Sequence, residues 1–146
     1  MSSESTPVKP MPRIDAVNRP FWDGCNVERV VIQKCSANGC RRYVYYPRVC
    51  CPYCRNGDLD WVEVPGTGEV ATHTTIHRPH HEGFYPDAPY VFAAIRISEG
   101  PIIYAMLEDA PTDGRTIIGR HVAPSFRQHT PTQKLLAFRL SDQRGA

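Results

Sequence analysis

The segment CSANGCRRYVYYPRVCCPYC constrains this chain more than any other. It sets Cys35, Cys40, Cys51 and Cys54 in two pairs, spaced C-x4-C and C-x2-C, with ten residues between the pairs. A short loop between two cysteines lets both sulfurs face one point, and two such loops on neighbouring hairpin ends supply four. Zinc takes four thiolates at tetrahedral corners, each about 2.3 Å from the ion. No histidine lies between Cys35 and Cys54, so the expected ligand set is all sulfur. Cys50 could replace Cys51, but the second spacing would become C-x3-C, and Cys51-Pro52-Tyr53-Cys54 is the tighter knuckle. Gly39 helps the first loop turn. Four sulfurs leave no open position for water, so such an ion is structural and folds a segment too small for its own core. Cys25 lies outside the cluster and reads as a small apolar packing residue.

Composition sets the frame for that module. The chain has 146 residues, 41% of them apolar, and a formal net charge of +2. It can build a real core, and no strong field announces a nucleic acid or a basic partner. No apolar run approaches the roughly 18 residues of a membrane span. The first residues, MSSESTPVKPMPRID, are polar and proline-rich, without the apolar centre of a secretory signal. A soluble, cytoplasmic protein is expected, and there clustered cysteines indicate metal before disulfides.

Residues 1–15 are expected to be a disordered tail, because they carry little to bury. Residues 16–30 form a helical segment, with Asn18 as cap, Pro20 early in the helix and Phe21, Trp22 and Cys25 as apolar weight; Gly24 opposes it. Val30, Val31 and Ile32 lead as a strand into the cysteine module, placed at 31–60. Beyond it, strands are expected at 61–64, 69–77, 90–98, 102–108, 117–122 and 135–140. In the second, Val70, Thr72, Thr74 and Ile76 share one face. Regular short strands with turn signals and no helical period point to a small barrel at 61–146, of the OB type.

The segment HTTIHRPHHEG carries His73, His77, His80 and His81. Pro79 opposes a helix that would align His77 with His81, and on a strand His73 and His77 stand about 13 Å apart, too far for one ion. A polar loop is the expected reading. There is no nucleophile elbow, phosphate loop or dinucleotide fingerprint, and no carboxylate pair placed for acid–base work. Arg41, Arg42, Tyr43, Tyr45, Tyr46 and Arg48 interleave cations with aromatics, a composition suited to stacking on bases. The balanced charge and the lack of a basic stripe weigh against nucleic acid as partner, and a ribbon/OB nucleic-acid binder stands as the alternative function.

Four collinear stretches carry a family resemblance across residues 12–140: RPFWDGC with VVIQKC; the knuckle with YYPR and CPYC; DLDWVEVPGTGEVATHTTIHRP; and PYVFAAIRISEGPIIYAML with IIGRHVAPSF and LLAFRL. Together they resemble the zinc-ribbon plus OB-fold family that accompanies thiolases and other acyl-CoA enzymes. The resemblance implies a mainly β protein: an N-terminal helix, a rubredoxin-like zinc ribbon and an OB-fold barrel. It implies structural Zn2+ on Cys35, Cys40, Cys51 and Cys54, although the C-x4-C first pair departs from the family's usual C-x2-C. It also implies a non-catalytic accessory subunit in a hetero-oligomer, two plus two. The partner would be a thiolase-fold enzyme or a hot-dog-fold enoyl-CoA hydratase acting on CoA esters, in the degradation of lipids, aromatics or steroids. Phe21, Trp22, Tyr43, Tyr45 and Tyr46 are the candidate partner-docking anchors. Arg41, Arg42, Arg48 and Arg78 are the candidates for the CoA phosphates.

Overall fold

A computed structural model describes residues 7–141. The helix α1 spans Arg19–Asn26, shorter than the expected segment, with a proline in its first turn. Asn18 does not cap it through its side chain. That side chain instead accepts the Asp15 N–H at 2.8 Å and donates to the Arg13 carbonyl and the Tyr46 hydroxyl. Gly24 is needed here: a Cβ at that position would lie 2.9 Å from Cγ2 of Val31, so the helix can lie this close to the next strand only without one.

That strand, β1 (Val30–Cys35), is the centre of a three-stranded sheet. Its neighbours are β2 (Tyr43–Val44), between the two cysteine pairs, and β3 (Leu59–Val64), after the second. The pairing of β3 with β1 runs from Cys35↔Leu59 to Val30↔Val64. The strand expected at 61–64 as the start of the barrel is therefore the third strand of the ribbon. The reason is proximity: the second knuckle returns the chain beside β1, where the Ser36 N–H donates to the Asp58 carbonyl at 2.9 Å.

Five further strands close a barrel in the order β4-β5-β6-β8-β7. They are β4 (Gly68–Ile76), β5 (Tyr90–Ile97), β6 (Ile102–Leu107), β7 (His121–Thr130) and β8 (Gln133–Leu140). The β6–β8 pairing is parallel, at Leu107↔Phe138, and β7 returns to β4 at Val122↔Gly68 and His121↔Glu69. This is the expected five-stranded OB arrangement. Two details differ from the sequence pattern. The register slips between Val70 and Thr72, so Thr72 and Thr74 face solvent while Val70 is buried. The strand expected at 117–122 begins only at His121. The Gly119 N–H donates to the Val70 carbonyl, the Val70 N–H to the Arg120 carbonyl, and Ile117 tucks into the core with its N–H on Nε2 of His73. Within the His-rich segment, His73 lies on β4, and residues 77–81 form a loop that enters a short 3-10 helix, η1 (Glu82–Asp87).

Phe21, Cys25, Val30, Ile32 and Val64 share one continuous core with the barrel residues Val70, Ile95, Ile103, Val122 and Phe138. Cys35, Val44 and Cys51 form a separate buried cluster, at the ribbon tip. Residues 7–15 carry no regular secondary structure but are tied to the barrel. Lys9 Nζ meets Asp87 at 2.6 Å, Nε2 of His129 donates to the Pro10 carbonyl at 2.7 Å, and Thr130 Oγ1 meets the Met11 sulfur at 3.1 Å. An ammonium, a backbone carbonyl and a thioether make these contacts, which composition alone hid. The rest of the expected tail, 1–6, lies outside the described residues.

Candidate metal centre and aromatic face

The sulfurs of Cys35, Cys40, Cys51 and Cys54 all lie within 4.8 Å of one another. Cys35 and Cys54 approach to 3.6 Å, and Cys40 and Cys51 to 3.7 Å. A regular tetrahedron of sulfurs at zinc's bond length has edges of about 3.8 Å. The donor set therefore fits the ion in both chemistry and size, and the two extra residues in the first loop do not disturb it. The ribbon builds the centre from both ends: β1 delivers Cys35, the first loop Cys40, and the second knuckle Cys51 and Cys54. Within that knuckle the Tyr53 N–H donates to the Cys51 sulfur at 3.4 Å and the Arg55 N–H to the Cys51 carbonyl at 2.8 Å. Cys50, the rival ligand, is exposed.

The residue after each second cysteine, Arg41 (φ 54°) and Arg55 (φ 65°), lies in the left-handed region. Glycine suits that conformation best, and with arginine there the motif gave no local sign of it. Burial opposes ionisation of Cys51. The N–H groups of Cys54 and Tyr53, with the thiols of Cys40 and Cys54, outweigh it and bring Cys51 down to about 7. Cys54 moves the other way, to about 12: its bond from Asn56 is overridden by desolvation and by the thiols of Cys35, Cys51 and Cys40. The pattern is that of facing thiols that cannot all ionise without a cation between them. Cys25 belongs to the core, and burial pushes it up to about 12.

The five predicted aromatic anchors divide. Phe21 is 2% exposed and belongs to the core. Its ring meets Trp22, Tyr45 and Tyr46 edge-on, with centroids 4.9 to 6.1 Å apart. Tyr45 is half-buried, and desolvation, then Cys25 and Tyr46, raise its hydroxyl pKa. Trp22 is half-buried and donates its indole N–H to the Tyr46 hydroxyl at 3.1 Å, while Tyr46 is 40% exposed. Tyr43 carries the Lys34 ammonium over its ring. Trp22 and Tyr46 thus form an outward step joining α1 to the ribbon.

The four predicted arginines are all exposed. Arg41 bonds Asn38, and Arg42 lies over the Tyr53 ring at 4.6 Å. The backbone of Arg48 is clamped by the Gln33 side chain, which accepts its N–H at 2.7 Å and donates to its carbonyl at 2.9 Å. Arg78 stands on the barrel, in the loop after β4.

Beside α1 lies a feature the sequence reading missed. A cavity of about 270 Å³ is walled by Trp22, Tyr45, Phe84, Tyr90, Phe92 and Tyr104, among others, with Lys9, Arg127 and His129 also in its lining. Phe92 and Tyr104, on β5 and β6, stack with centroids 6.4 Å apart and planes 15° from parallel. They stand two residues out of register, since Phe92 opposes Met106 and Tyr104 opposes Ala94. No local pattern announces such a pair.

Comparison with known proteins follows this architecture. The model of the ChsH2 rubredoxin-like zinc ribbon domain matches residues 22–60, and that of the ChsH2 C-terminal OB-fold domain matches residues 61–127. A probable enoyl-CoA hydratase alpha subunit of Thermomonospora curvata is 33% identical over 132 residues, 90% of this chain and 40% of that protein. A DUF35 domain-containing scaffold protein of Methanothermobacter thermautotrophicus is 33% identical over 87 residues, 58% of this chain and 64% of that protein. The chain thus spans less than two thirds of the length of either relative. Among solved structures, a chain of the Ltp2-ChsH2(DUF35) aldolase superposes with a TM-score of 0.77 at 32% identity, over 89% of this chain and 98% of that one. With the four-sulfur centre on the ribbon and the closed barrel behind it, this chain belongs to the ChsH2 family of paired rubredoxin-like zinc-ribbon and OB-fold domains, within DUF35.

Proposed function

We propose that the chain is a non-catalytic accessory subunit of a thiolase-superfamily enzyme acting on CoA esters by thiolysis, retro-aldol cleavage or acyl transfer. The observation that carries this reading is the likeness, over 98% of its length, to a chain of the Ltp2-ChsH2(DUF35) aldolase. The name of the Methanothermobacter relative, a scaffold protein, supports the same role. The hydratase name of the Thermomonospora relative supports a hot-dog-fold hydratase as the other partner class. The site chemistry agrees: a centre closed by four sulfurs orders the ribbon and offers no open coordination position to a substrate.

In this role the subunit steadies the partner and helps shape its acyl-CoA site, in a two-plus-two assembly. Trp22 and Tyr46 are the docking residues with surface to offer, backed by Tyr43 and Tyr45, while Phe21 holds them from beneath. Arg41, Arg42, Arg48 and Arg78 are the cations proposed to meet the CoA phosphates. Affinity capture of the tagged full chain from its native host tests the reading. Recovery of a thiolase-fold or hydratase subunit in equal amount is the expected result. Trp22→Ala should weaken that association about 30-fold, the scale of an interface anchor worth about 2 kcal/mol. Capture of nucleic acid instead, with salt-sensitive binding, would favour the alternative ribbon/OB reading.

A further inference from the structure

The solvent-facing side of β5 and β6 carries an arrangement that neither folding nor partner docking through α1 requires. Tyr104 is 65% exposed and Phe92 38% exposed, yet their rings lie near-parallel. Two large rings held open to water on neighbouring strands form a stacking platform, and any flat ring can use its π-face. Their place in the fold matters as much as their chemistry. β5 and β6 are the second and third strands of the barrel, the face on which OB folds receive ligands.

The platform does not stand on a flat sheet. Both rings line the cavity of about 270 Å³, together with Trp22 from α1 and Tyr45 from the ribbon. That volume is near the lower end for pockets that take one small organic molecule. The same lining contains cations. Lys9 and Arg127 both pair with Asp87, at 2.6 and 3.2 Å, so two positive groups share one carboxylate and leave an excess of positive charge. The cavity thus combines a surface for a flat ring with an attraction for an anionic group.

We propose that this cavity binds a small ligand made of a flat heteroaromatic ring and an anionic tail, of the nucleotide class. The ring stacks on Tyr104 and Phe92, and the tail faces Lys9 and Arg127. A single small ligand fits better than a polynucleotide: the cavity is only about 270 Å³, and the chain's net charge is only +2. The inference does not depend on the accessory-subunit role, and the two can fail separately.

The test is calorimetric titration of the zinc-loaded full chain with adenosine 5′-monophosphate. The expected result is saturable binding with a Kd of about 1 mM or tighter. Adenosine and ribose 5-phosphate, each carrying half of the recognised chemistry, should both bind more weakly. Tyr104→Ala should weaken the nucleotide about tenfold or more, the scale of one lost stack, while Tyr104→Phe keeps the affinity. Because Tyr104 is largely exposed, neither change threatens the fold. Arg127→Gln should weaken the nucleotide while sparing adenosine. Absence of saturation, equal binding by Tyr104→Ala, or binding of a single-stranded oligonucleotide without the mononucleotide would overturn the proposal.

Discussion

Cys50 and Cys51 are neighbours with opposite fates. Cys51 is buried, accepts the Tyr53 N–H on its sulfur and faces Cys40 across 3.7 Å, whereas Cys50 points to solvent. The C-x2-C spacing made this choice readable, because a two-residue loop converges both sulfurs on one point. The left-handed backbone at Arg41 and Arg55 was not readable, because it follows from the knuckle's hydrogen bonds and not from the residue type that occupies it. The contrast gives a paired experiment on zinc content, measured by elemental analysis of purified protein. Cys51→Ser should lose the metal and expose the ribbon tip to proteolysis, with β4 to β8 still folded. Cys50→Ser should retain one zinc per chain. A zinc-replete Cys51→Ser protein would remove Cys51 from the ligand set.

Elements were readable wherever a strand's own alternation decides which side is buried. β5 and β6 follow this rule, with Val91, Ala93, Ile95 and Ile97 turned inward on β5. It fails where a partner decides. The slip after Val70 belongs to how β4 meets β5 and the 117–120 loop, and β3 joins the ribbon because the second knuckle delivers it to β1. Gly24 shows the same limit within α1. From sequence it weakens a helix by about 1 kcal/mol relative to alanine. In the fold it is what lets α1 approach β1. Gly24→Ala should therefore lower stability despite the better helix former. The new methyl would stand 2.9 Å from Val31 Cγ2 and 3.0 Å from the Arg29 carbonyl, and Val31 is stiff and β-branched. Overpacking of this kind costs about 1–3 kcal/mol, against a propensity gain of at most about 1. Urea denaturation checks it: the midpoint should fall at an unchanged m-value, and a rise would mean that the helix had room to move away.

At the scale of the molecule, the division suggested by the cysteine segment is not the division in the packing. Two family models meet between residues 60 and 61, yet β3 runs through that point from Leu59 to Val64, and its partner β1 sends Val30 and Ile32 into the barrel's core. The base of the ribbon is therefore held by apolar burial, and only the tip depends on the metal. At the tip the buried cluster is Cys35, Val44 and Cys51, with Ala37, Cys40 and Leu59 packed around it. So small a set cannot offset the chain entropy of the two loops, whereas a structural zinc contributes roughly 10 kcal/mol or more to such a segment. Chelation should therefore split the protein's behaviour in two. Backbone amides of residues 36–58 should lose protection from hydrogen exchange and lose their dispersed NMR signals, while those of β5, β6 and β8 keep theirs. Thermal unfolding of the barrel should remain cooperative, at a midpoint lowered by the loss of the ordered tip, and added Zn2+ should restore the original trace. Loss of all protection on chelation would instead mean that the metal holds the shared core as well, and that Phe21, Ile32 and Val64 cannot secure the base of the ribbon without it.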